Sequence, residues 1–300
     1  MAKTPALVLL DQWGWSFDFV SRGLKKYGSA FEFRAKRWNE VNIYDSRFNY
    51  VLALNCSVWH ALSVRRRWLQ APQTKHFIGV PRDVIDERLH GDMRLINGVA
   101  CNNLIAYNKL RKRYPNSRKI FYTPNGVDPE FFKPQQLGDR FILGWSGTIE
   151  WDVKRVDLAR KLRPSPKIKC DRFGKYFEQG VSQQPMIEFY RSIDCFVHTS
   201  CSEGMPNVIL EAAACGLPII STRVGDIPLL VSKEWLVPVN PPALVISEIQ
   251  TRIDLLRSNL DLRRKVGARN RAEVVKNWSW KQQVLHYETM FLRSPSSLNH

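Results

Sequence analysis

Short apolar runs alternate with longer amphipathic stretches along most of the chain. Ala6–Leu10, Phe31–Ala35, Tyr50–Asn55, His76–Val80, Ile96–Cys101 and Ile120–Tyr122 each read as a short strand. A helix over Phe17–Tyr27, stopped by Gly28, separates the first two. A basic helix over Asn103–Arg113 separates the last two. This alternation implies a parallel sheet with helices on both faces. Pro124-Asn125-Gly126-Val127-Asp128 then marks a turn, and the polar stretch Gln135–Asp139 marks a domain boundary. The predicted domains are therefore 1–135 and 136–280, the second sheet beginning at Phe141–Gly144. The expected class is α/β, with two Rossmann-like doubly wound domains.

In the second domain Phe196-Val197-His198 ends an apolar strand, and Ser200, Ser202 and Gly204 break it. Pro206 suits a first helical turn, Asn207–Ala214 is rich in helix formers, and Gly216 with Pro218 stops the run. Leu217–Thr222 reads as the next strand. A helix that starts at a glycine turn directs backbone N–H groups and a positive dipole end outward, which suits a pyrophosphate. Glu203 stands just before that helix, and Glu211 shares a face with Asn207 at four-residue spacing. Carboxylates accept strongly and suit sugar hydroxyls. Two glutamates alone read first as a carboxylate on a helix dipole and a solvated helix residue; the residues around them reverse that reading.

From Ser200 to Ile220 the chain resembles the E-x7-E signature of the retaining nucleotide-sugar glycosyltransferases of family 4. Their pattern runs roughly P-S-x-x-E-G-x-P-x-x-x-x-E-A-x-A-x-G-x-P-V-I. It is met at Ser200, Glu203, Gly204, Pro206, Glu211, Ala212, Ala214, Gly216, Pro218 and Ile220. The resemblance implies a GT-B fold, its two domains facing a central cleft. It places Glu203 near the donor sugar hydroxyls, Glu211 on the nucleotide ribose and the Gly204 amide on the diphosphate, with Met205, Pro206 and Asn207 alongside. Asn125–Pro134 is similar to the family's N-G-V-D-x-x-x-F-x-P entry to the second domain. The closing stretch 281–293 resembles the family helix that returns to the first domain.

The same resemblance supplies further candidates. Lys154 matches a lysine before G-V-D that holds the diphosphate, where a cation stabilises a leaving group gaining charge. Arg155 stands where glycine is common. Gly147 lies in the loop Gly144–Thr148, from which the usual arginine is missing, and Arg155 is its expected substitute. Gly14 matches the position of a glycine-rich loop after the first strand, without the paired glycines. Arg82, in Pro81-Arg82-Asp83, takes the place of a first-domain histidine, and Phe173 falls where relatives hold the nucleobase. Val224–Pro228 resembles the V-G-G-x-x-E turn, with Asp226 replacing the second glycine. Glu203 and Lys154 are the expected catalytic pair.

Composition narrows the class without changing it. Three hundred residues hold two domains, each with its own core. No apolar run reaches the length of a membrane span, and the N-terminal run is too short for a signal peptide. Six cysteines without a C-x-x-C pair argue for free thiols in a reducing cytosol, with no metal and no cofactor beyond the donor. The net charge is +17, and residues 1–133 carry 22 Lys and Arg against 11 Asp and Glu, or +11 of it. An anionic partner is implied. One class is a saccharide, soluble or lipid-linked at a membrane surface, giving a cytoplasmic protein that in the second case is peripheral to the membrane. The other is nucleic acid, such as a hydroxylated base in DNA, with Trp13, Trp15, Trp38, Trp59 and Trp68 interleaved among the cations. No obligate protein partner is evident. A non-catalytic nucleic-acid or sugar-nucleotide binding protein is the alternative from another class.

Overall fold

The computed structural model describes residues 2–11, 16–41, 48–63, 74–82, 85–134, 139–170 and 184–295. The chain divides into two compact units. One holds residues 1–126, 177–180 and 280–300; the other holds 127–176 and 181–279. The boundary expected at 135/136 lies outside the described residues, as do Gly14, Phe173, Trp13, Trp15 and Trp68.

The first unit runs β1 (Thr4–Leu10), α1 (Ser16–Tyr27), β2 (Phe31–Arg37), β3 (Tyr50–Ala53), α2 (Cys56–Ser63), β4 (Lys75–Val80), α3 (Arg88–Asp92), β5 (Gly98–Cys101), α4 (Leu104–Arg113) and β6 (Ile120–Tyr122). The second runs β7 (Leu143–Gly147), α5 (Val156–Arg160), β8 (Lys167–Cys170), α6 (Gln184–Arg191), β9 (Cys195–His198), α7 (Asn207–Ala214), β10 (Ile219–Thr222), β11 (Leu236–Val237), α8 (Pro242–Ser258) and α9 (Leu260–Glu273). The last helix, α10 (Trp280–Arg293), belongs to the first unit.

Each unit has one parallel sheet. The orders are β2-β1-β3-β4-β5-β6 and β11-β10-β9-β7-β8. Counted from its own first strand, each sheet contains the order 2-1-3-4-5, with a sixth strand added in the first unit, and reverses direction between its first and third strands. The crevice at the carboxyl ends of those two strands is where such sheets take ligands. In the second unit it lies between the ends of β7 and β9.

Strand β1 shows why the first sheet is covered on both faces. Ala6 to Leu10 are all fully buried, and side chains alternate. Leu7 and Leu9 join one core with α2 and α4 residues such as Val58 and Leu110. Ala6, Val8 and Leu10 join the other, with Val20 and Leu24 of α1 and Val284 and Phe291 of α10. Glu288 anchors α10. Its carboxylate accepts from the Ser29 N–H and Oγ at 2.7 Å each, from Ala30 N–H at 2.7 Å and from Phe31 N–H at 3.3 Å. Among the expected aromatic platforms, Trp59 is buried in the core and Trp38 packs against it. They are therefore core residues rather than an exposed stacking stripe.

The expected elements are offset at several ends. The second sheet starts at Leu143, not Phe141, because the Ile142 backbone turns to meet Asp194: its N–H donates to Oδ2 at 2.7 Å and its carbonyl accepts from Asp194 N–H at 2.7 Å. Leu217 and Pro218 precede β10. Asn103 and Asn259 cap α4 and α9, accepting from Ala106 N–H at 2.9 Å and Leu262 N–H at 2.8 Å. No helix of the described residues is long and apolar enough to cross a membrane.

Candidate functional site

The second unit's crevice gathers chemistry from four segments. Strand β7 ends at Gly147, a helical turn carries Asp152–Lys154, β9 ends at His198, and the loop to α7 carries Glu203 and Gly204. Glu203 is the centre. Its Oε1 accepts from Lys154 Nζ at 2.5 Å, and His198 Nε2 lies 3.5 Å from the same oxygen. The carboxylate is only 10% exposed. Burial pushes its carboxyl up, but the His198 ring and the Lys154 charge outweigh burial and hold it at about 2. His198 is fully enclosed; burial lowers its pKa, Glu203 opposes that, and the Lys154 and Arg155 charges add to the lowering. The pair therefore consists of an ionised carboxylate and a neutral imidazole at neutral pH.

The loop bearing this carboxylate is held from three sides. Gly225 in the turn before Asp226 has φ +52°, and a Cβ on it would lie 1.9 Å from the Gly204 carbonyl oxygen. That oxygen instead accepts from Asp226 N–H at 2.9 Å. The turn expected at Val224–Pro228 thus presses directly on Gly204. On the other side Cys201 N–H donates to Val153 O at 2.9 Å, tying the loop to the Lys154 turn. Below, Trp145 Nε1 donates to Thr199 Oγ1 at 2.9 Å. Met205 and Pro206 are buried behind Gly204, and Asn207 is half-buried.

Helix α7 begins at Asn207, one residue later than expected, because Pro206 is the residue before the first turn rather than within it. Pro206 offers this end no side-chain cap. Glu211 sits one turn inside, 5% exposed, its Oε2 accepting from Tyr190 Oη at 2.9 Å. Gly147 lies close by: a Cβ there would be 3.0 Å from the Trp145 ring and 3.7 Å from Lys154 Cγ.

Arg155 reaches this region in a different role from the one expected. Its backbone is left-handed, φ 49°, which explains the preference for glycine at this place. Its guanidinium donates to the carbonyls of Thr199 at 2.7 Å, Val239 at 2.7 Å and Ser200 at 3.4 Å. The side chain is a brace beneath the strand end, not an open phosphate clamp. Arg82 belongs to the first unit, exposed after β4. Three contributors were not anticipated: His198, Tyr190 and Ser221. His198 carried a signal, since it is the last residue of a strand at the ligand end of the sheet. Tyr190 and Ser221 join through tertiary packing and carried none. Among the described residues no group of three or more His, Cys, Asp or Glu is placed to hold a metal.

Residues 167–253, which include the loop and α7, match the family model described as Glycosyl transferases group 1. Solved structures extend the likeness to nearly the whole chain. Sucrose-phosphate synthase from Thermosynechococcus elongatus superposes with TM-score 0.68 at 12% identity, covering 97% of this chain and 99% of that one. Anabaena HepE, solved in complex with UDP, gives TM-score 0.70 at 10% identity over 96% and 99%. The fold is GT-B. Among curated proteins, a D-inositol 3-phosphate glycosyltransferase from Paenarthrobacter aurescens (strain TC1) is 26% identical over 48% of this chain and 46% of its own length. An N-acetyl-alpha-D-glucosaminyl L-malate synthase from Bacillus anthracis is 32% identical over 36% of this chain and 28% of its own. The matches thus span less than half the length of these curated relatives.

Proposed function

We propose that this GT-B chain is a retaining, metal-independent glycosyltransferase of the family 4 type, taking its sugar from a nucleotide diphosphate sugar. One observation carries the reading. An ionised carboxylate, Glu203, stands at the ligand end of a parallel sheet beside Lys154 and immediately before the start of helix α7. The positive dipole end of a helix start suits the diphosphate. Lys154 is the cation nearest the site of charge development, and Glu203 and Glu211 accept hydroxyls from the sugar and the ribose. The HepE structures were solved with UDP and with UDP-glucose, so a uridine donor is the first to test.

Such a site does its work by positioning and by stabilising the leaving anion. The Glu203 carboxyl, held at about 2, remains an acceptor throughout the neutral range and is no general acid. In this mechanism the leaving phosphate oxygen takes the proton of the attacking acceptor hydroxyl on the same face of the sugar, which preserves the anomeric configuration.

The acceptor is a saccharide, free or lipid-linked. The basic helix α4, with Lys109, Lys112 and Arg113 exposed, supports an anionic acceptor or surface. DNA is less well supported, because Trp59 is a core residue and Trp38 packs on the same core. A binding protein without turnover draws on the Arg155 guanidinium being engaged by carbonyls. A panel of labelled nucleotide sugars with oligosaccharide, lipid-linked saccharide in anionic vesicles, and hydroxymethylated DNA separates these readings. Transfer to a saccharide with retained configuration, abolished in Glu211→Ala, is the expected result. Transfer to DNA alone moves the acceptor class, and no donor turnover with any acceptor overturns the enzyme reading.

A further inference from the structure

His198 is enclosed between two polar partners. Its Nδ1 lies 3.1 Å from Ser221 Oγ, and its Nε2 lies 3.5 Å from Glu203 Oε1. Nε2 is buried and meets no partner at full hydrogen-bond geometry. Ser221 Oγ has two acceptors within reach, Nδ1 of this ring and the Thr222 carbonyl at 2.9 Å. Which of them takes the single hydroxyl proton fixes the state of the ring.

If Ser221 donates to Thr222 O, Nδ1–H must donate to Ser221, and the bare Nε2 lone pair faces an ionised carboxylate in a buried pocket. Two acceptors are then opposed where water cannot separate them. If Ser221 donates to Nδ1, Nε2 carries the proton and points it at Oε1. Thr222 O is not orphaned by this choice, because it also accepts from Val224 N–H at 3.0 Å. A doubly protonated ring is opposed by burial and by the charges of Lys154 and Arg155. The neutral Nε2–H form is the one that opposes no two acceptors and adds no buried charge.

Oε1 of Glu203 then faces two donors, Lys154 Nζ at 2.5 Å and His198 Nε2–H at 3.5 Å. Among the described residues no donor reaches Oε2. We propose that His198 is a positioning residue for Glu203: with Ser221 fixing its tautomer, its Nε2–H holds Oε1 and leaves Oε2 as the oxygen that accepts a hydroxyl of the donor sugar. This rests on the nucleotide-sugar reading for the ligand, but not for the ring's protonation state.

Two measurements test it. In a long-range ¹H–¹⁵N spectrum of histidine-labelled protein, the signal lost in His198→Gln identifies the ring. A neutral Nε2–H pattern at pH 8 is expected; an Nδ1–H pattern or an imidazolium there overturns the inference. This readout needs no ligand, so it stands even if the protein fails to bind nucleotide sugars, a failure that would count against the glycosyltransferase reading alone. Titration with UDP-glucose supplies the second. His198→Leu should weaken binding about tenfold or more and move the acid limb of binding upward as Glu203 loses a donor. His198→Gln, whose amide N–H can replace Nε2–H, should restore most of the affinity and return the limb toward its place. Equal loss in both variants with an unmoved limb means that His198 only fills space, and sinks the proposal.

Discussion

Replacing Glu203 by Gln gives a direct measure of how strongly this site favours a negative charge. The folded protein lowers the Glu203 carboxyl from 4.5 to about 2, with burial opposing and His198 and Lys154 prevailing. At about 1.4 kcal/mol per tenfold, ionised Glu203 contributes about 3 kcal/mol to the stability of the second unit near neutrality. A depressed carboxyl adds stability above its unfolded value and loses it as pH falls toward the folded one. About 2 kcal/mol of the contribution should therefore disappear between pH 6 and pH 3. The assay is urea unfolding at half-unit pH steps, followed by pulsed hydrogen exchange at the β9 and α7 amides. Glu203→Gln has no carboxyl to titrate, so its stability should fall less steeply by that amount over the interval. Parallel curves for the two proteins would refute the reasoning, because they would mean that Lys154 and His198 do not hold the charge in the folded state.

Other substitutions probe other links. Gly225→Ala places a methyl 1.9 Å from the Gly204 carbonyl oxygen at a left-handed position, so UDP-glucose binding should be lost, with destabilisation of at least about 1–2 kcal/mol, measured by calorimetry and thermal unfolding. Tyr190→Phe removes the O–H that orients Glu211 and should weaken UDP binding about tenfold, with circular dichroism unchanged. Glu288→Ala strips three backbone N–H groups of their acceptor at the entry to β2 and should cost about 3 kcal/mol in urea unfolding of the first unit.

Much of the fold was legible because parallel strands buried on both faces read as continuous apolar runs. Ile120–Tyr122 has the observed bounds, α7 starts one residue after the expected Pro206, and the ends of β1, β3 and β5 moved by two residues each. The Glu203–Gly204 loop was legible because glycine, proline and carboxylate occur there in a local order that dictates a turn and a helix start. The role of Arg155 was not, since its partners are carbonyls 44, 45 and 84 residues away, and only folding brings them together. Ser221 and Tyr190 escaped for the same reason. Trp59 shows the converse error, in which an aromatic among cations suggested stacking on a base but serves the core.

The most direct test of the account is the position of UDP-glucose in a complex with this protein. The diphosphate should rest at the amino end of α7 against Gly204, the ribose at Glu211, and a sugar hydroxyl on Glu203 Oε2 with Lys154 alongside. A nucleotide bound elsewhere, with Glu203 still closed on Lys154 and His198 and no ligand atom near Oε2, would contradict it.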